Sequence, residues 1–115
     1  MSEISKLEQS YVIKKIDNET INIRILDNDI LISIVGEFNK NLSEIEKLTD
    51  TTIFFRGNSL TAKGKSEDIS RVSTSIKFLI NKFLLTNLIE KNDIILSVKK
   101  NFNSDNNSNV ESLEQ

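Results

Sequence analysis

The stretch Val35-Gly36-Glu37-Phe38-Asn39-Lys40-Asn41-Leu42 decides how the chain is read. Before it, Ile30 to Val35 is a short apolar run; after it, Leu42, Ile45 and Leu48 recur on one face at helical spacing. Asn41 and Glu44 stand in the spacing of a capping box, so Asn41 is the expected N-cap of a helix running to about Thr49. The apolar run is short enough for a strand or a helix, but Asp27-Asn28-Asp29 places capping oxygens in front of it and favours the helix. The stretch therefore reads as helix, glycine loop, helix. Such a loop gathers exposed backbone N–H groups beside a helix N-terminus, an arrangement that suits a phosphate.

Working upstream, Ile21, Ile23 and Ile25 alternate with Thr20, Asn22 and Arg24, the pattern of a half-buried strand. Residues 1–18 leave two readings open. Tyr11-Val12-Ile13 with Ile16 form an extra strand that Asp17-Asn18-Glu19 turns into the next, or the segment is a mobile leader. Downstream, Ile53 and Phe55 alternate with Thr52, Phe54 and Arg56, Gly57-Asn58 supplies a turn, and Leu60 and Ala62 alternate with Thr61 and Lys63. The two runs make a hairpin. Phe54, opposite Ile53, predicts a sheet partly covered on both sides or an aromatic left exposed as a contact.

Ser66, as a serine N-cap with Glu67 and Asp68 behind it, opens the longest helix in the sense the helix dipole favours. Its stripe of Ile69, Val72, Ile76, Leu79, Ile80 and Phe83 covers the sheet. Leu84, Leu85, Leu88 and Ile89 widen the stripe beyond what one sheet face needs and predict a further element packed there. That element is a short C-terminal helix over 91–102, capped by Asn92-Asp93, with Ile95, Val98 and Phe102 facing inward. Residues 103–115, rich in asparagine, serine and acids, read as a disordered tail or a linker.

Composition narrows the chemistry. At 115 residues the chain suffices for one ordinary core. With neither cysteine nor histidine, it offers no disulfide framework and none of the usual zinc, copper or iron ligands. Asp27-Asn28-Asp29 starts like a calcium loop, but Ile32 and Phe38 stand where glycine and glutamate are required. No apolar run is long enough to cross a bilayer, and no basic region leads into an apolar one at the N-terminus, so the expected location is cytoplasmic. The net charge is -2; the first ten residues account for -1 and the segment after Phe102 for -3, which leaves +2 on residues 11–102. A mildly basic middle permits a nucleic-acid partner.

The order strand, helix, glycine loop, helix, strand, strand, helix is an α+β pattern. It resembles that of KH domains of the eukaryotic type, and Asp27 to Phe83 resembles the KH-like N-terminal region of bacterial PhoH-like ATPases. The resemblance rests on Val35-Gly36-Glu37-Phe38, on Asn41-Leu42 opening Ile45-Glu46-Lys47-Leu48, on Ile53 with Arg56-Gly57-Asn58 and Leu60-Thr61, and on Gly64. It implies a β-α-α-β-β-α domain over 19–90, with a three-stranded sheet covered by helices on one face. It also implies a cytoplasmic protein linked to RNA metabolism, whose ATP and magnesium sites belong to an ATPase domain absent from this chain.

That absence follows from the motifs. Gly64-Lys65-Ser66 looks like the end of a Walker A loop, yet Ser59 stands where its first glycine belongs and Leu60 to Lys63 reads as strand. No later apolar strand ends in a magnesium-binding aspartate, and no serine or threonine has a histidine or cysteine to activate it. No cofactor and no catalysis are expected of this chain alone.

A KH domain clamps the nucleic-acid backbone with a Gly-x-x-Gly loop. Here the second glycine is Asn39, which tolerates a left-handed backbone but crowds the approach, and Glu37 adds a negative charge. The expected RNA contacts are Gly36, Phe38, Asn39, Lys40 and Asn41 in the loop, with Arg56, Asn58 and Lys63 from the hairpin. A plainer reading makes Gly36 a helix C-cap, Phe38 a core plug and Arg56 a solvated edge charge. Two functions follow: a single-stranded RNA-binding module serving its own ATPase domain, or a KH-shaped module for protein assembly that docks a partner or a second copy through Leu84 to Ile89. Neither involves a membrane.

Overall fold

The computed structural model describes residues 10–107, with side chains through residue 99. Strands β1 (Tyr11–Asp17), β2 (Thr20–Ile25), β3 (Thr52–Arg56) and β4 (Ser59–Lys63) form one antiparallel sheet in the order β1-β2-β4-β3. The sheet is thus four-stranded, a correction to the expected three. Of the two readings of the N-terminal segment, the strand holds for Tyr11 onward, and Asp17 closes its turn by accepting the Glu19 N–H at 2.8 Å. The β-α-α-β-β-α order is preceded by this strand and followed by a fourth helix.

Helices α1 (Asn28–Val35), α2 (Lys40–Thr49), α3 (Ser66–Thr86) and α4 (Lys91–Asn107) complete the fold. Asp27 caps α1 through bonds from the Asp29 and Ile30 N–H groups, at 2.9 and 3.1 Å. The α1 residues Ile30, Leu31, Ile34 and Val35 are buried, as are Leu42 and Ile45 of α2; Leu48 lies at the margin and Thr49 takes the third inward place, its hydroxyl bonded to the Ile45 carbonyl at 2.7 Å. α3 begins after Lys65, so Ser66 is its first residue and makes no capping bond.

The alternation read in the strands sets the faces. Ile21, Ile23 and Ile25 of β2 and Leu60 and Ala62 of β4 point into one core with the helices. Arg24 on β2, Lys63 on β4 and Phe54 and Arg56 on β3 point away from the helices and stay exposed. The helices cover one face only.

α4 packs against α3 and α2. Asp93 seats it: one carboxylate oxygen accepts the Glu90 N–H at 2.8 Å and the other pairs with Lys82 of α3 at 3.1 Å. Ser75 and Ser97 bond across the buried α3–α4 interface at 2.6 Å. Val98 is buried as expected and Ile95 is half-buried, while Ile94 and Ser97 are the other buried positions; the Phe102 side chain lies outside the described residues. The helix runs to Asn107, past the expected end at Phe102, and 108–115 lie outside the described residues. No described helix is long and apolar enough to cross a membrane.

Candidate functional site

The loop between α1 and α2 is built around Gly36. Its N–H bonds back to the Ile32 carbonyl at 3.0 Å and closes α1, while its backbone, at φ 78° and ψ 167°, lies in a region essentially restricted to glycine. Space demands glycine as well: a Cβ there would sit 2.6 Å from Nδ2 of Asn41. That amide donates to the Ser33 carbonyl at 3.1 Å, bracing the start of α2 against the last turn of α1. Asn41 is therefore not the N-cap. The capping position belongs to Asn39, which makes no side-chain capping bond; tertiary bracing has drawn Asn41 inside the helix.

Glu37–Asn39 form a single 3₁₀ turn in which Phe38 and Asn39 both take left-handed backbone, at φ 54° and 60°. For asparagine this is tolerated, as its sequence position anticipates; for phenylalanine it is costly. Phe38 gains no burial in return, because its side chain is 97% exposed, and this corrects the reading of it as a core plug. Lys40 follows at the first position of α2. A small concavity beside it is lined by Lys40, Asn41, Glu44, Lys91 and Ile94, so α4 brings a second cation to the loop. Nothing local in the sequence signals Lys91, since its place depends on how α4 packs.

The hairpin residues lie on another surface. Arg56 and Lys63 are exposed on the outer face of the sheet, with Phe54 and Thr61, in a shallow concavity to which no loop residue contributes. Asn58 is exposed in the turn and its carbonyl accepts the Ile25 N–H at 2.9 Å, tying the turn to β2. Gly57 takes φ 60° with nothing within 4 Å of a would-be Cβ. The expected site thus divides into the loop group (Gly36, Phe38, Asn39, Lys40 and Asn41) and the hairpin group (Arg56, Asn58 and Lys63).

Two acids act as structural clasps. Glu46 of α2 accepts the Ile53 N–H of edge strand β3 at 2.6 Å. Asp93 has a pKa lowered below its ordinary 3.8, chiefly by the Glu90 N–H it accepts and further by Lys82, with burial opposing both. Gly64 precedes α3 with its N–H on the Glu19 carbonyl, and Leu60 to Lys63 lie in a strand paired on both sides, so no phosphate loop forms there. The chain matches no protein-family model and no curated protein sequence.

Proposed function

We propose that this domain is a KH-like single-stranded RNA-binding module, accessory to a PhoH-like ATP-binding protein whose ATP and magnesium sites lie outside this chain. One observation carries it. The turn after Gly36 holds Phe38 on unfavourable backbone, wholly in solvent, beside Lys40. Strain with no packing return is found where a side chain serves a ligand, and an exposed aromatic next to a cation suits an unstacked base and its phosphate. Support for the KH-like reading comes from Thr20–Thr86, which run strand, helix, helix, strand, strand, helix, the last strand lying between the other two. The module is placed in the cytoplasm with its RNA.

Fluorescence anisotropy with a short single-stranded RNA tests this. Binding should be weak and fall with salt. Phe38→Ala should cost about 1–3 kcal/mol, the range for a stacked base, and Lys40→Ala should flatten the salt dependence. Wild-type protein that ignores RNA even at low salt would sink the proposal.

A second reading, a protein-assembly module, is favoured by the end of α3, where Leu85 is 75% and Leu88 55% exposed. Light scattering that rises with concentration, abolished by Leu85→Glu, would support it. A mass unchanged over the whole range would count against self-assembly.

A further inference from the structure

The outer face of the sheet has a regular composition that the loop does not explain. Strand register sets its side chains in rows across the strands: Val12, Arg24, Ser59 and Arg56 in one, Lys14, Asn22, Thr61 and Phe54 in the next, then Thr20, Lys63 and Thr52. Lys14, Arg24, Arg56 and Lys63 are exposed, and among the described residues none of these four is in a salt bridge. The nearest acid in the register is Asp17, opposite Thr20 at the hairpin end, where its carboxylate holds the Glu19 N–H. Residues 11–102 carry +2, so without these four cations the rest of that segment carries -2. These four cations account for the positive sign of that segment.

A side-chain hydrogen bond crosses the middle of the face. Asn22 Nδ2 donates to Thr61 Oγ1 across the β2–β4 pair at 3.0 Å, and Phe54 lies opposite Thr61 on the other side, 54% exposed. Neighbouring strands lie about 4.8 Å apart and alternate residues about 7 Å apart along a strand, so from Phe54 on edge strand β3 Arg56 and Lys63 stand about 7–8 Å away, Arg24 about 12 Å and Lys14 about 14 Å, all within the span of a few nucleotides. Cations on edge strands often serve only to discourage strand addition. That account covers Lys14 and Arg56 but not Arg24 and Lys63, which stand on the two central strands.

We propose that this face is a second contact surface for single-stranded nucleic acid, with phosphates held by Lys14, Arg24, Arg56 and Lys63 and a base stacked on Phe54. The inference rests on the reading that the domain's ligand is single-stranded RNA. A flat positive surface with one stacking platform fits a strand followed by its backbone with little sequence preference. A duplex, whose bases are already stacked, leaves Phe54 without a partner.

The test is fluorescence anisotropy with a labelled oligouridylate of about ten nucleotides, from about 50 to about 200 mM salt. Four proteins are compared: wild type, Arg24→Gln with Lys63→Gln, Arg24→Lys with Lys63 retained, and Phe38→Ala with Lys40→Gln. The face variant should bind about tenfold more weakly, and its slope of log affinity against log salt should fall by about 1.4, since each phosphate contact to a single strand contributes about 0.7. The charge-preserving Arg24→Lys protein should keep the wild-type slope, which separates lost contacts from lost folding. If the face variant keeps wild-type affinity and slope while the loop variant loses binding, the face proposal is overturned and the RNA reading stands. If wild-type protein shows no salt-dependent binding, both are overturned.

Discussion

The Gly36 loop and the Gly57 turn begin alike, each a glycine with positive φ followed within three residues by an asparagine. Around Gly36 the chain is crowded: Asn41 fills the place a Cβ would take, and Phe38 and Asn39 take left-handed backbone. Around Gly57 the space is open, and the turn merely reverses the chain. A glycine required by conformation alone marks a turn; one required by conformation and by packing, with a bulky side chain then forced into solvent, marks a constructed feature. The two also serve different surfaces. The loop lies among the helices beside Lys91, and the turn lies at the end of the open sheet face.

The largest expected effect comes from Gly36→Ala. Backbone strain and crowding of Asn41, which must release Ser33, should together cost about 2–4 kcal/mol in denaturant unfolding. Asp93→Asn comes next, removing the charge that seats α4 beside the loop, at about 1–3 kcal/mol. Because the folded pKa of Asp93 lies below 3.8, its contribution is present above that value and is lost as the pH falls through the folded pKa. Thermal melts should show the wild type and the variant converging below about pH 4; a gap that stays constant there would show that the carboxylate's charge is not what matters. Gly57→Ala should cost only about 1 kcal/mol. Were it to match Gly36→Ala, the crowding at Asn41 would not be what separates the two glycines. The smallest effect has the opposite sign: Phe38→Gly relieves left-handed strain and should leave stability unchanged or raise it by up to about 1 kcal/mol while weakening RNA binding.

Much of this architecture is legible in the residues. Asp27 caps α1 as its position before an apolar run implies, and the alternation of Ile21, Ile23 and Ile25 marks β2 without ambiguity. β1 was undecidable because, as an edge strand, it exposes Val12 and Ile16 and lacks a clean alternation. Asn41 has capping-box spacing with Glu44, but the carbonyl of Ser33, eight residues back, outbid the local bond. For the site, the side-chain parity that puts Arg56, Lys63 and Arg24 on one face is present in the sequence. What was hidden is strand adjacency: β4 lies between β2 and β3, and only that placement makes four separate cations a surface and moves Arg56 and Lys63 away from the loop.

Amide chemical-shift mapping of the wild-type domain titrated with single-stranded RNA at low salt tests the central claim most directly. The account predicts shifts clustered at Phe38 to Asn41 and, as a second group, on the outer rows around Arg24, Phe54 and Lys63. Shifts confined to Leu84 to Ile89, or none at saturating RNA, would contradict it.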